Sequence, residues 1–179
     1  MDICNKDIYN ETVLIEKVKN NSDKFELLYN KYFEQIFRYI YKRTVNKTLS
    51  KDLTQQTFLK AFVNIKKYKP QGKPFSAWLY KIAFNEINLY YRKTKREKTY
   101  SITSEIIENI YQEIENEAEI SDEKLFNVLN LLDANEMHYI ELRFFEKLSF
   151  KEIALIKDET ADNSKVKTYR IIKKLKELF

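Results

Sequence analysis

One glycine and two prolines in 179 residues leave the chain few places to turn sharply or to break regular structure. No stretch alternates apolar and polar residues between turn signals, so a sheet-rich fold is excluded and an all-α protein is expected. The single cysteine, Cys4, excludes an internal disulfide, and one histidine leaves no Cys/His set for a zinc site. No apolar run approaches the roughly 18 residues that a membrane span needs. The start, MDICNKDIYNE, is too polar for a signal peptide, so no membrane insertion and a cytoplasmic location are expected. No nucleophile–base set, metal cluster or glycine-rich phosphate loop is present, so neither an enzyme nor a bound cofactor is expected.

What is there is apolar surface and unevenly placed charge. Apolar residues make up 44% of the chain and aromatic residues 15%, enough for a packed interior rather than general disorder. The length suits one ordinary domain or two small ones. Net charge is only +5, yet Thr99 to Glu123 holds eight acidic residues and no lysine or arginine. Such a segment reads as a self-repelling linker between two basic modules, although Ile102, Ile106, Ile107, Ile110 and Ile114 keep some helical spacing.

The stretch Asp52 to Lys98 organises the first module. DLTQQTFLKAF places Phe58, Ala61, Phe62 and Ile65 on one helical face, and a turn around Gly72 follows between the two prolines. Pro74 then suits a first helical position, with Phe75, Trp78, Leu79 and Ile82 as an inward stripe. Left over are Tyr80, Lys81, Phe84, Asn85, Asn88, Tyr91, Arg92 and Lys93, followed by the basic exit tract Lys95, Arg96 and Lys98. Aromatic faces stack on unpaired bases and cations hold phosphates, so this mixture suits opened DNA. Upstream, Ile8, Thr12 and Ile15 indicate a first helix, and Phe25, Leu28, Tyr29, Tyr32, Ile36 and Ile40 mark a second, ending near Arg43. Ser22 and Ser50 are the expected caps of the second and third helices. Asp52, Gln55, Gln56 and Lys60 form a polar side that, on the residues alone, is a solvated face.

The second module restarts at Ser121. Leu125, Val128, Leu129 and Leu132 form a stripe, Asp133 with Glu136 caps the next helix, and His138 is a surface or packing residue. Ser149 and Glu152 have capping-box spacing, and a last helix is expected from about Asn163. A short helix followed by a basic one has helix-turn-helix form, whose second helix offers side chains to base edges in the major groove. Asn163, Lys165, Lys167, Tyr169 and Arg170 are the candidate DNA contacts, with Lys173 and Lys174 nearer the phosphates. The alternative is an amphipathic helix whose lysines are simply solvated.

Taken together and in this order, DLTQQTFLKAF, FSAWLYKIAFNEINLYYRK, LSFKEIALI and KVKTYRIIKKLKEL resemble bacterial sigma factors of the small extracytoplasmic-function group. The resemblance implies residues 1–98 as sigma domain two, 99–120 as an acidic linker and 121–179 as a helix-turn-helix sigma domain four. It implies core RNA polymerase and promoter DNA as partners, an anti-sigma factor as a possible one, and recognition of minus-ten and minus-thirty-five elements. Asp52, Gln55, Gln56 and Lys60 would dock on the clamp coiled coil of the polymerase. The loop Lys69 to Lys73 and the helix after it would capture a flipped base, with Lys81, Asn85, Asn88, Tyr91, Arg92 and Lys93 contacting DNA. The acidic linker would thread the basic channels of the polymerase. A stand-alone helix-turn-helix regulator remains the alternative, but it leaves the first module without a purpose. Two departures stand out: Lys157, Asp158 and Glu159 replace the apolar residue and glycine that open the family's turn, and Ser164 and Thr168 take core-facing apolar positions. Looser packing is expected there, at about 1.5 to 3 kcal/mol per lost large apolar group.

Overall fold

A computed structural model describes residues 3–94, 106, 109–110 and 122–178. Among them there are helices and turns but no strand. Contacts divide the chain into two compact units, Met1–Glu97 and Lys98–Phe179. Lys95, Arg96 and Lys98 of the exit tract, and most of the acidic segment, lie outside the described residues. Two of that segment's spaced isoleucines, Ile106 and Ile110, are described and buried.

The first unit contains α1 (Ile3–Asn20), α2 (Phe25–Thr44), α3 (Lys47–Asn64) and α4 (Phe75–Thr94). α2, α3 and α4 pack on one another, while α1 lies against the single 3-10 turns at Ser22–Lys24 and Ile65–Lys67. Their apolar stripes meet in a core that includes Leu28, Ile36 and Ile40 of α2, Phe58 and Ala61 of α3, and Phe75, Leu79, Ala83 and Ile87 of α4. Phe62 departs from the expected inward face: it is 41% exposed, with one edge of its ring against Phe25 at 5.1 Å between centroids.

Both expected serine caps are displaced. Asn21 rather than Ser22 accepts the first amide before α2, from Asp23 at 3.0 Å. Before α3, Val45 takes a left-handed φ of 47°, a conformation that a β-branched residue adopts at a cost, and Asn46 then caps the helix by accepting from Leu49 N–H at 2.9 Å. Ser50 consequently falls inside α3, fully buried, with its Oγ 2.7 Å from Thr44 Oγ1. Thr54 and Thr57 are also fully buried, and their hydroxyls bond back to the carbonyls of Ser50 and Leu53 at 2.7 and 2.8 Å. These small, satisfied side chains let α3 present an apparently polar stripe to the core without orphaned groups.

The second unit contains α5 (Asp122–Asn130), α6 (Ala134–Ile140), a π turn (Glu141–Phe145), α7 (Phe150–Lys157) and α8 (Ala161–Leu178). Both expected capping boxes are present, Asp133 with Glu136 and Ser149 with Glu152. α8 begins at Ala161, two residues before the expected start, and buries Ser164, Thr168, Ile171, Ile172 and Leu175 along one side. His138 is a packing residue, 2% exposed.

Leu79 is fully buried in the first unit, and Trp78 beside it is the only tryptophan, so its emission reports on that unit alone. Leu79→Ala is expected to lower the unit's stability by about 2 to 5 kcal/mol, read from urea unfolding followed by tryptophan fluorescence. An unchanged midpoint would contradict the core described here.

Candidate nucleic-acid interface

The turn before α4 is built by backbone signs. Gln71 and Gly72 both take positive φ, 49° and 71°, and Lys73 N–H donates to Pro70 O at 2.9 Å, the pattern of a tight primed turn. Below it, Tyr68 stacks on Trp78 at 4.4 Å between ring centroids, and both rings lie edge-on to the buried Phe75 at 5.4 Å. Burial, reinforced by the negative charge of Glu11, pushes the Tyr68 hydroxyl up to about 12. Trp78 is thus a half-buried packing residue of the loop's base.

Along α4, Lys81, Asn85, Asn88 and Arg92 recur at helical spacing and share a face. Asn85, Arg92 and Lys93 are exposed, and Lys81 is half-buried. Asn88 is partly committed inside the protein, accepting from Arg43 Nη2 at 3.2 Å. Tyr91 and Tyr80 differ from their expected place on the outer face. Tyr91 is 8% exposed and donates its hydroxyl to Arg43 O at 2.9 Å, while Tyr80 is 2% exposed and its hydroxyl accepts from Gln35 Nε2 at 3.2 Å. Each ring has an apolar body that the core takes and a polar tip that it can satisfy, so neither presents a stacking face.

On α3, Asp52, Gln55 and Gln56 are exposed. Lys60 forms an ion pair with Glu86 of α4, whose side chain is 5% exposed. Beside these lie Leu59 and Val63, 61% and 68% exposed, which the core stripe of α3 leaves on the outer side. The spacing Gln56, Leu59, Val63 was the available signal for this apolar addition to a polar face.

In the second unit the glycine-free turn is solved by Asp158, which takes φ 57° and ψ 47° at the end of α7. Asp reaches the left-handed region at lower cost than most residues. Glu159 then gathers the turn: its carboxylate accepts from Tyr139 Oη at 2.8 Å and Ser164 Oγ at 2.6 Å, and it forms an ion pair with Lys167. Burial opposes ionisation of Glu159, but the hydrogen bonds from Lys167, Ser164 and Tyr139 outweigh it and hold the carboxyl below its usual range. The same contact raises Lys167 above the usual lysine range. Ser164 and Thr168 are therefore not gaps: both are fully buried, and Thr168 Oγ1 donates to Ser164 O at 2.8 Å. Burial lowers Lys157 to about 8, with its ammonium over the Tyr139 ring at 4.5 Å from the centroid.

The outer side of α8 carries a shallow open groove lined by Asp162, Lys165, Val166, Tyr169, Arg170 and Lys173. Asn163 is exposed, and its backbone N–H is taken by Thr160 Oγ1 at 3.2 Å. Of the basic candidates, Lys167 is paired as above, Lys174 donates to both oxygens of Glu136 at 2.8 Å, and Lys173 lies 4.0 Å from Glu177. Asp162 and Val166 were not singled out in the sequence. An acid and a valine in a basic helix carry no charge signal, yet both chemistries read base edges, the acid through a cytosine amino group and the valine through a thymine methyl.

The family description Sigma-70 region 2 matches residues 28–97. The chain is 30% identical to the ECF RNA polymerase sigma factor BldN of Streptomyces coelicolor over 172 residues, covering 92% of this chain and 64% of that protein. It is 30% identical to the ECF RNA polymerase sigma factor SigM of Bacillus subtilis over 155 residues, covering 85% of this chain and 93% of SigM. The fold is shared with CnrH, solved in complex with the cytosolic domain of CnrY, at a TM-score of 0.58 and 19% identity over 94% of this chain and 96% of that one. It is shared too with RpoE of Bartonella quintana, solved with the anti-sigma factor NepR, at a TM-score of 0.56 and 19% identity over 86% of this chain and 95% of that one. A helical protein with a region-2 bundle is a transcription-initiation factor in class. The chain belongs to the extracytoplasmic-function sigma factors of RNA polymerase, which direct the polymerase to promoters. That membership sets aside the stand-alone regulator. Among the described residues no helix is long and apolar enough to cross a membrane.

Because Glu159 is held ionised in the folded state, its stabilising effect is present above the ordinary carboxylate range and lost as pH falls through its depressed value. Glu159→Gln is expected to melt at a lower temperature than the native chain at neutral pH, with the difference closing as pH falls from the ordinary carboxylate range through the depressed value of Glu159. A difference independent of pH would remove the charge from the explanation.

Proposed function

We propose that this sigma factor docks on core RNA polymerase through the outer side of α3, captures a flipped minus-ten base at the Lys69 to Lys73 loop with Asn85 as a base reader, and reads the minus-thirty-five element with α8. The observation that carries this reading is the face of α4, where Asn85 stands exposed in register with Lys81 and Arg92 on a helix inside the region-2 match. A side-chain amide offers donors and an acceptor to an unpaired base edge, and the cations beside it serve the backbone. On α3, exposed Leu59 and Val63 join Asp52, Gln55 and Gln56 as the docking surface, since an interface gains most from apolar area ringed by polar groups. The acidic segment links the two domains, and an anti-sigma factor is a further partner, as NepR is for RpoE. The protein works in the cytoplasm by recognition and strand opening, driven by binding energy, and RNA synthesis is left to the polymerase.

The deciding experiment is co-elution of the purified protein with bacterial core polymerase, followed by opening of a fully paired, AT-rich promoter fragment. Association with opening supports the reading. Tight duplex binding by the protein alone, without association with core, would return it to the stand-alone regulator.

Asn85→Ala is expected to weaken promoter opening about tenfold while changing core affinity less than about twofold, since one reading contact is lost from an exposed site. Equal loss of both would end its role as base reader. For α8, each lysine that meets a phosphate contributes about 0.9 to the slope of log affinity against log salt. Lys165→Ala is expected to lower that slope more than Lys167→Ala, because Lys167 already has a carboxylate partner. Anisotropy titrations of duplex promoter DNA over a range of salt measure both, and equal changes would show that the Glu159 pair opens on binding.

A further inference from the structure

The helix before the family match supplies a group that the loop before α4 lacks. Between Lys69 and Pro74 there is no Ser, Thr, Asp or Asn to cap α4, Pro74 has no N–H, and the Lys73 amide is used within the turn. Phe75 opens α4 with an amide that has no partner in its own helix. That amide donates to Glu11 Oε2 at 2.6 Å, from a residue 64 positions earlier in α1. The other carboxylate oxygen, Oε1, accepts from Lys31 Nζ at 3.0 Å and from the Tyr32 hydroxyl. Glu11 is 5% exposed, so its charge is held by these donors and by the positive end of α4.

We propose that Glu11 is a positioning residue for base capture: it caps α4 from outside the region-2 match and fixes the stem of the Lys69 to Lys73 loop. The proposal rests on the reading that this loop takes a flipped base. Both ends of the loop converge on the anchored residue. Phe75 is fully buried, and its ring meets Tyr68 and Trp78 at 5.4 Å and Tyr32 at 5.8 Å, so the residue bound by Glu11 is also the one on which the loop's aromatic base is assembled. A binding loop discriminates only as well as its supports hold it, and a cap from another helix holds the loop's exit where the loop's own residues cannot. Glu11 touches no DNA in this scheme and acts through Phe75.

The test uses holoenzyme assembled from the full chain and bacterial core polymerase. It selects from a pre-melted promoter library randomised over the non-template minus-ten positions. Glu11→Ala is expected to flatten the preference at one position about tenfold, with preference elsewhere and core affinity kept within about twofold. Glu11→Gln, whose amide oxygen can still accept from Phe75, is expected to restore most of that preference. Simple destabilisation would instead lower every position and core binding together, and that result overturns the proposal. Flattening by Asn85→Ala but not by Glu11→Ala overturns the anchor and leaves base capture standing. A native protein with no position-specific preference overturns both.

Discussion

A buried carboxylate must be supplied with donors, and each unit of this protein is organised around one that is. Glu11 joins α1, α2 and α4 through Lys31, Tyr32 and the Phe75 amide. Glu159 joins α6, the turn and α8 through Tyr139, Ser164 and Lys167. The apolar stripes would pack several ways at similar gain, because burial of surface is not directional. Hydrogen bonds to a charged group are directional and costly to leave unmade, so they select one arrangement among those the stripes allow. In both cases the helix end so fixed belongs to a DNA-reading element of the proposed function.

The same economy governs the cations. A basic protein is expected to spend its lysines on phosphate, but several here are used internally: Lys60 on Glu86, Lys167 on Glu159 and Lys174 on Glu136. The outer side of α8 is therefore a mixed surface, with Asp162 and Val166 set among Lys165, Tyr169 and Arg170. In the proposed role of α8, such a surface carries less general phosphate attraction than its lysine count implies and more base-edge chemistry, which favours sequence reading over tight non-specific binding. On α4, by contrast, Asn85, Arg92 and Lys93 remain outward, as the proposed strand-binding role requires.

The helix-turn-helix shows how a family pattern is kept with different residues. Without glycine, Asp158 provides the left-handed step. Without apolar side chains at two core positions, Ser164 and Thr168 bury hydroxyls that are satisfied by Glu159 and by the Ser164 carbonyl. The departures support one another: the acidic residue that displaces the usual turn is the one that accepts from the serine. Substituting either alone would strand its partner.

Much was legible in the sequence because it depends on local order. The scarcity of glycine and proline and the helical spacing of Leu28, Ile36, Ile40 and Leu79 determined an all-α fold. Spacing of three residues was enough for the capping boxes at Asp133 and Ser149, and the ordered motifs carried the family resemblance. Local pattern did not decide the caps: Asn21 caps the 3-10 turn ahead of α2, which itself starts without a side-chain cap, and Asn46 caps α3 after the left-handed step at Val45. Nor did it decide which aromatic of α4 faces in. Tyr80 and Tyr91 are amphipathic, and only the presence of Gln35 and the Arg43 carbonyl across the helix interface makes the interior acceptable to their hydroxyls. The cap of α4 by Glu11 and the capture of Lys167 by Glu159 belong to tertiary structure for the same reason: a charge finds its partner by distance in space, which periodicity along one helix does not encode.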